Sequence, residues 1–467
     1  MMPLTATRTV LPDWLAYQAA GDGGARLAVA DSTVRWSFAA LACEVDRWAG
    51  HLRARGVGPG DRMALLMGNS AAFTALVHAA IRLGAVLVPL NVRLTQAELA
   101  WQLADCGARL LIHDAARAEA AIAAGADVPG VGVTSLSDLA AGTPMPLPVH
   151  AGIDLDQVQA VIYTSGTTGQ PKGSLLTYGN VWWSAVGSAL NLGTQTDDRW
   201  LACLPLFHVG GLSILMRSVI YGVPVLVHET FDPVAVNAAI DREGVTIISV
   251  VSTMLGRMLD ARGDHRYPDT LRAVLLGGGP APGPLLERCA RAGVPVVQTY
   301  GLTETASQVA TLAPGDALRK LGSAGRPLLP TRIRIAGPLG DVAPGTVGEI
   351  LVQGPTVTPG YLNRPDATAA AIRDGWLHTG DLGYLDADGY LTVVDRRDDL
   401  IISGGENIYP AEVEAVVLAH PAVAEAAVVG VPDRHWGQRV RAIVALRPGA
   451  VATAEEMRDF CRARLAR

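Results

Sequence analysis

A loop rich in hydroxyl groups and glycines is the segment best suited to chemistry. It runs Tyr163-Thr-Ser-Gly-Thr-Thr-Gly-Gln-Pro-Lys-Gly173 and follows an apolar strand. Glycines let backbone N–H groups approach an anion, hydroxyls add donors, and Lys172 supplies a positive charge. Pro171 stands where a Walker A loop requires glycine. The pattern favours a polyphosphate-binding loop that leads toward a helix over a flexible Ser/Thr/Gly linker.

Acidic and basic side chains further along could complete a nucleotide site. Glu304 and the hydroxyl of Thr167 offer the hard oxygen ligands that Mg²⁺ prefers, with phosphate and water as the remaining ligands. Asp381 can accept both hydroxyls of a ribose, and Arg396 can make a forked contact to ribose or phosphate. Each has a plain structural alternative, such as a turn former for Asp381 or a helix N-terminal acid for Glu304. Together they favour a nucleotide site.

Composition bounds the class of protein. A chain of 467 residues is too long for one ordinary core and predicts several compact units. We find no apolar run of the about 20 residues that a membrane span needs, and a net charge of -6 without a basic block predicts no nucleic-acid partner. The five scattered cysteines favour buried thiols over disulfides or a zinc site. The N-terminus lacks a secretory pattern, so we expect a cytoplasmic protein with small-molecule partners. If the chain associates, a symmetric homodimer is the commonest assembly.

Strand and helix patterns alternate along most of the chain and predict an α/β fold with parallel, helix-covered sheets. After an N-terminal helical stretch, we predict a large domain, residues 1–396, made of two sheet lobes and a small barrel-like subdomain that begins near Thr331. A small α+β domain, residues 397–467, follows the charged run at 395–399. Its predicted elements are a helix, two strands and a helix at 411–418, 422–429, 440–446 and 454–465.

Several segments, in one order, resemble the acyl-adenylate-forming superfamily of acyl-CoA synthetases, peptide-synthetase adenylation domains and luciferases. The resemblance covers nearly the whole chain. It rests on the loop and on residues 204–211, 277–282, 300–305, 376–381 and 395–398. It implies the cofactors ATP, Mg²⁺ and CoA and an acid:CoA ligase reaction through an acyl-AMP.

The resemblance also implies roles for single residues. The loop residues that would bind the ATP phosphates are Thr164, Ser165, Gly166, Thr167, Thr168, Gly169 and Lys172. The residues that would surround the adenine are Gly278, Gly279, Pro280, Tyr300 and Gly301. Thr303 would meet the α-phosphate, Glu304 and Thr167 would hold magnesium, and Asp381 and Arg396 would bind the ribose. His208 would gate the acyl pocket, Asp398 would be the hinge pivot, and Gly404 and Gly405 would line the CoA tunnel.

Residues 204–222, 320–325 and 399–414 resemble the o-succinylbenzoate:CoA ligases of menaquinone biosynthesis. That substrate carries a second carboxylate, for which the site should provide a cation. Arg217 resembles a basic position of this subgroup, although it could equally be a helix-surface residue in ordinary salt bridges. Ser307 and Gln308 are candidate polar walls of the same pocket.

Three alternatives to this subgroup remain open. The chain could be another acyl- or aryl-CoA ligase for fatty or aromatic acids, an adenylation domain that loads a carrier protein, or a nucleotide-binding protein that has lost catalysis. Gln170 replaces the lysine usual in the family loop, at a variable position. The sequence also ends before the lysine that crosses the family's active site during adenylation. We expect that it is a piece of a longer protein rather than a protein defective in the first step.

Overall fold

The computed structural model describes residues 8–148, 152–164, 171–279, 281–317, 319–396, 401–403, 406–408, 410–433, 437–462 and 464. Within these residues the strands form five sheets. No described helix is both long and apolar enough to cross a membrane.

The first lobe contains a mostly parallel sheet of six strands in the order β10-β9-β5-β4-β6-β7. Its strands and those that precede or flank it are β1 (Val10–Leu11), β2 (Leu27–Ala30), β3 (Arg35–Ser37), β4 (Arg62–Leu66), β5 (Val86–Pro89), β6 (Leu110–His113), β7 (Gly132–Ser135), β8 (Ile153–Asp154), β9 (Val158–Thr164) and β10 (Lys172–Thr177). Its helices are α1 (Trp14–Ala19), α2 (Phe38–Ala54), α3 (Ala71–Leu83), α4 (Gln96–Cys106), α5 (Ala118–Ala126) and α6 (Leu136–Ala140).

Local sequence explains the elements of this lobe. The central strands β4, β5 and β6 are almost entirely buried, as expected of parallel strands covered by helices on both faces. Helix α3 begins where the side chain of Ser70 accepts the N–H of Phe73, and it ends at Gly84, whose φ of 65° is left-handed. Helix α4 begins with a capping box between Thr95 and Glu98.

The second lobe is built around a sheet of nine strands in the order β17-β16-β15-β14-β13-β11-β12-β2-β3. Its further strands are β11 (Trp200–Ala202), β12 (Val225–Val227), β13 (Ile247–Val250), β14 (Ala273–Leu276), β15 (Val296–Tyr300), β16 (Ala310–Thr311) and β17 (Arg326–Pro327). Its helices are α7 (Tyr178–Leu192), α8 (Val209–Tyr221), α9 (Pro233–Arg242), α10 (Ser252–Arg262) and α11 (Gly283–Ala292). Parallel pairing runs from β2 through β12, β11, β13 and β14 to β15, so the carboxyl ends of these strands share one edge.

Two smaller antiparallel sheets follow. The first contains β18 (Arg332–Gly337), β19 (Gly340–Asp341), β20 (Gly348–Gln353), β21 (Ile372–Arg373), β22 (Trp376–Leu385) and β23 (Leu391–Arg396), with α12 (Pro365–Ala371) between β20 and β21. The second contains β24 (Ile401–Ser403), β25 (Glu406–Ile408), β26 (Val423–Asp433) and β27 (Gly437–Leu446), with α13 (Pro410–Leu418) and α14 (Ala454–Arg462). The predicted α/β class, with a large part and a small α+β part, is confirmed.

Two local expectations were wrong. The N-terminal stretch is not simply helical, because it also contains β2 and β3, which form one edge of the second sheet. The hydroxyl-rich loop does not lead directly to a helix either. Lys172–Thr177 forms β10, which pairs antiparallel with β9, and α7 begins only after it. The loop is therefore the connection of a β-hairpin.

Candidate active site

The described ends of the hydroxyl-rich loop lie side by side. Lys172 is the cross-strand partner of Thr164, whose hydroxyl donates to the carbonyl oxygen of Lys172 at 3.4 Å. The Lys172 ammonium lies 5.4 Å from the ring centre of Tyr361. The predicted phosphate-binding residues Ser165, Gly166, Thr167, Thr168 and Gly169 lie outside the described residues. The hairpin thus places one cation and one hydroxyl at the two ends of the loop.

The acidic segment lies close to this cation. Thr303 and Glu304 stand in a short 3-10 turn just after β15. The hydroxyl of Tyr361 donates to Glu304 Oε1 at 2.9 Å, so Tyr361 contacts both Glu304 and Lys172. Burial and the neighbouring Glu304 raise the pKa of Tyr361, which keeps its hydroxyl a donor. The structure therefore brings the predicted magnesium ligand and the predicted phosphate cation around a single ring.

Tyr361 was missed by the sequence analysis. It follows Gly360 in an irregular segment with no recognised motif, and its role depends on a pairing distant in sequence. Residues 360–362 run along the free edge of β10, where Leu362 N–H donates to the Gly173 carbonyl at 2.8 Å. Leu175 N–H donates in turn to the Gly360 carbonyl at 3.0 Å. No local signal in the sequence could have identified this contact.

Close backbone packing shapes the turn after β15. A β-carbon on Gly301 would lie 1.4 Å from the carbonyl oxygen of Ser307, so no other residue fits there without displacement of the backbone. Ala306 and Ser307 themselves have left-handed φ values of 51° and 93°. Such values are uncommon outside glycine and are maintained by surrounding structure. The turn that contains the predicted residues Gly301 and Thr303 is thus tightly folded.

The predicted adenine and ribose residues converge on the same edge. The hydroxyl of Tyr300 donates to Asp381 Oδ2 at 2.7 Å, and Asp381 is only 6% exposed. Gly278 and Gly279 follow β14, the neighbour of β15, and Gly278 has a left-handed φ of 80°. Loops at the carboxyl ends of parallel strands form the usual ligand crevice of open α/β sheets. Pro280 lies outside the described residues.

The predicted hinge and tunnel residues are only partly described. The backbone of Arg396, the last residue of β23, pairs with Asp381 on β22. Asp398, Gly404 and Gly405 lie outside the described residues. The strand register therefore places the backbone of Arg396 opposite Asp381, the other residue predicted to bind the ribose.

A cleft lies between α7, α8 and the turn at Ala306. Arg217 is 3% exposed, and its guanidinium lies 5.6 Å from the ring centre of Trp200 and donates weakly to Ser184 Oγ at 3.4 Å. Its Nε has no hydrogen-bond partner, and it forms no ion pair with a described carboxylate. The alternative that Arg217 is a helix-surface residue in ordinary salt bridges is wrong. The residues that line the cleft are Leu176, Val181, Ser184, Val209, Leu212, Ser213, Met216, Arg217 and Ala306.

The cleft contains the buried guanidinium of Arg217. Burial lowers the pKa of Arg217, while contact with Tyr221 opposes that shift. A guanidinium nevertheless stays charged in proteins. The cleft therefore contains a buried positive charge among mostly apolar walls, which suits a ligand that has an apolar body and an anionic end.

The remaining predicted pocket residues flank the cleft. Gln308 is buried and its Oε1 has no hydrogen-bond partner, while Ser307 adjoins the cleft residue Ala306. His208 immediately precedes α8 and its ring lies 4.5 Å from that of Phe207. Desolvation and the charge of Arg93 lower the pKa of His208, so it is neutral near pH 7. Ser184, on α7, was missed because a serine inside an apolar helix carries no distinctive pattern.

The candidate site also suits a magnesium ion that is bound together with a nucleotide. No group of three histidine, cysteine or acidic side chains among the described residues could hold a metal ion. Glu304 nonetheless supplies a carboxylate of the hard type that Mg²⁺ takes alongside phosphate oxygens and water. Its donor Tyr361 fixes one oxygen in place. The donor set thus matches a magnesium ion that arrives with a nucleotide.

The chain is similar to known proteins over nearly its whole length. The 2-succinylbenzoate–CoA ligase of Geobacillus kaustophilus is 53% identical over 459 residues, which cover 98% of this chain and 92% of that protein. The Bacillus subtilis o-succinylbenzoate CoA synthetase in complex with its acyl-adenylate intermediate has a TM-score of 0.93 at 45% identity and covers 98% of this chain and 93% of its own. The same enzyme with ATP and a magnesium ion has a TM-score of 0.92 at 44% identity, with coverages of 98% and 94%.

Family models match both parts of the chain. The model of the AMP-binding enzymes matches residues 15–362, and that of the AMP-binding enzyme C-terminal domain matches residues 412–467. The first match alone covers more than half of the sequence. The chain therefore belongs to the AMP-binding enzyme family.

Proposed function

We propose that this chain is an o-succinylbenzoate–CoA ligase of menaquinone biosynthesis, which forms the thioester through an acyl-AMP. The observation that carries the choice of substrate is Arg217. A buried cation without a described counter-charge is costly unless a ligand supplies the anion. o-Succinylbenzoate has one carboxylate to activate and a second that can pair with this cation. The similar ligases support the same choice.

The first half-reaction is an in-line displacement at phosphorus. The carboxylate to be activated attacks the α-phosphorus of ATP, and pyrophosphate leaves. Lys172 and the hydroxyl of Thr164, with Ser165 to Gly169, bind the phosphates, and Thr303 meets the α-phosphate. Glu304 and Thr167 would hold Mg²⁺, which neutralises phosphate charge when bound. The contribution of the protein is positioning and charge stabilisation.

The nucleoside and the acid are bound on opposite sides of the reacting centre. Gly278 to Pro280 and Tyr300 with Gly301 enclose the adenine, and Asp381 with Arg396 binds the ribose. On the acid side, the neutral ring of His208 closes the pocket, while Ser307 and Gln308 form polar walls. These positions leave the apolar lining of the cleft for the aromatic ring of the substrate.

The second half-reaction transfers the acyl group to CoA. The thiol attacks the acyl carbonyl, AMP leaves with the bonding electrons, and the thiol proton is lost to solvent or to a base. We propose that the domain of residues 397–467 rotates against residues 1–396 about Asp398. Gly404 and Gly405 then line the passage for the pantetheine arm, because glycines permit close approach to the backbone. We propose a cytoplasmic homodimer, because ATP and CoA are cytoplasmic substrates and symmetric dimers are the commonest assembly.

Binding of non-hydrolysable acyl-adenylate analogues, measured by calorimetry, tests the proposal. We expect the o-succinylbenzoyl analogue to bind more tightly than the benzoyl and fatty-acyl analogues. The protein should also convert synthetic o-succinylbenzoyl-AMP and CoA to the thioester, detected by mass spectrometry. Tighter binding of a fatty-acyl or benzoyl analogue would assign another acid. Binding of the analogues without thioester formation would favour a nucleotide-binding protein that has lost catalysis.

A further inference from the structure

The carboxylate of Asp105 joins three segments that are distant in sequence. Its Oδ1 accepts Arg364 Nη2 at 2.6 Å, and its Oδ2 accepts the Tyr163 hydroxyl at 2.8 Å. Its backbone carbonyl also accepts Asn363 Nδ2 at 3.1 Å. Asp105 stands in the last turn of α4, where the helix dipole disfavours a negative charge. Its partners, rather than the helix, therefore explain a carboxylate at this position.

The Tyr163 contact fixes the end of β9, the first strand of the hairpin. Tyr163 lies two residues before segment 165–170, and its cross-strand partner is Gly173, just after that segment. A β-carbon on Gly173 would lie 3.4 Å from two atoms of the Tyr163 ring, so the ring covers Gly173 closely. Trp101, also on α4, meets the same ring edge-on, with ring centres 5.9 Å apart. Helix α4 thus contacts the base of the hairpin through the carboxylate of Asp105 and the ring of Trp101.

The Arg364 contact fixes the segment that runs along the outer edge of β10, on the other side of the hairpin. Asn363 and Arg364 stand two and three residues after Tyr361, which contacts Glu304 and Lys172. Residues 360–362 hydrogen-bond to the edge of β10 that faces away from β9. Asn363 has a left-handed φ of 52°, a conformation that asparagine tolerates better than most residues. The chain therefore turns at Asn363 directly onto Asp105, and one carboxylate connects both edges of the hairpin.

We propose that Asp105 is a positioning residue for phosphate binding. It holds β9 through Tyr163 and the 360–364 segment through Arg364, and so fixes the positions of Thr164 and Lys172 at the two ends of the hydroxyl-rich loop. Its loss should weaken the binding of the β- and γ-phosphates, which depend on that loop, more than the binding of an adenylate. The inference rests on the proposed function, because it assigns the phosphates of ATP to this loop.

The test compares MgATP with the non-hydrolysable o-succinylbenzoyl-adenylate analogue, which has no β- or γ-phosphate. Asp105→Ala should raise the dissociation constant of MgATP about tenfold and that of the analogue by less than about twofold. Tyr163→Phe, which removes a single hydroxyl, should shift MgATP in the same direction by a smaller factor. A matched control is Asp241→Asn, because Asp241 makes a two-hydrogen-bond pair with Arg262 elsewhere in the fold. The control should change neither constant.

Two results would overturn the proposal. Unchanged MgATP binding in a folded Asp105 variant would show that the loop does not need this anchor. An equal loss of affinity for both ligands would indicate a general structural role. If Asp105→Ala does not fold, Tyr163→Phe decides by the same criteria, since its ring packing is retained. Failure of the unaltered protein to bind either ligand would instead contradict the proposed function.

Discussion

Replacement of Arg217 by methionine should stabilise the free protein and weaken its binding to the dicarboxylate. Arg217 is 3% exposed, and its described contacts are the Tyr221 hydroxyl, a 3.4 Å contact with Ser184 and a distant contact with the Trp200 ring. Arg217→Met removes a buried charge that no described carboxylate compensates and retains most of the apolar volume. Apolar replacement of buried charges often stabilises a protein, and we expect a gain of about 1–2 kcal/mol. The measurement is the shift of the thermal unfolding transition without ligand.

The same substitution should have the opposite effect on ligand affinity. Loss of two charge-assisted hydrogen bonds at about 1.5 kcal/mol each corresponds to about 3 kcal/mol, or about 150-fold in the dissociation constant. Calorimetry with the o-succinylbenzoyl-adenylate analogue should detect this loss. The benzoyl analogue, which has no second carboxylate, should change by less than about threefold, because it gains nothing from the cation.

Arg262→Met provides the matched control. Arg262 is also buried, but it pairs with Asp241 through two hydrogen bonds of 2.8 and 2.9 Å. Its removal should destabilise the protein by about 2 kcal/mol and leave both analogues bound as before. If Arg217→Met instead destabilised the protein and weakened both analogues equally, Arg217 would be a structural residue. The substrate argument would then be refuted.

Three further substitutions, one of them with a control, test other parts of the structure. Glu304→Gln should weaken MgATP binding about tenfold in calorimetry but spare magnesium-free AMP, and an equal loss for both would contradict a metal role. Gly301→Ala should destabilise the protein by about 3 kcal/mol in urea unfolding, because its β-carbon would lie 1.4 Å from a carbonyl oxygen. Gly283→Ala, with no atom within 4 Å, should be neutral. Burial lowers the pKa of His78 to about 4, so its neutral form stabilises the fold fully above about pH 6.5, and that stability is lost as the pH falls toward 4. His78→Leu should reduce this pH dependence by up to about 3 kcal/mol, and an unchanged slope would exclude His78 as its source.

The sequence predicted those parts of the fold that depend on short-range patterns. Helix α3 begins after the capping residue Ser70 and ends before Gly84, and strand β6 begins with the apolar run Leu110-Leu-Ile112. Residues at the carboxyl ends of β14 and β15 could be placed together because parallel strands share an edge. The residues of the candidate site were therefore predicted from residue types together with the resemblance to the acyl-adenylate-forming superfamily.

Pairings between segments that are distant in sequence could not be predicted from local patterns. Strands β2 and β3 belong to a sheet whose other members begin at Trp200, and no local pattern records that partner. The contact of Tyr361 with Glu304 likewise depends on residues 360–362 lying along β10. A short strand can satisfy its hydrogen bonds at any free sheet edge, so the choice is made by the packing of the whole domain.

Arg217 lies between these two cases. Helix α8 is apolar over most of its circumference, and Leu212, Ile214, Leu215, Met216 and Val219 are all buried. A helix without a polar face is expected to be covered on all sides. The arginine within it is buried as well, and this burial excludes the surface role that the sequence analysis left open. The helix alone does not show that the described groups around the guanidinium are the hydroxyls of Ser184 and Tyr221 and the ring of Trp200. Because no described carboxylate pairs with Arg217, its charge is available to a substrate.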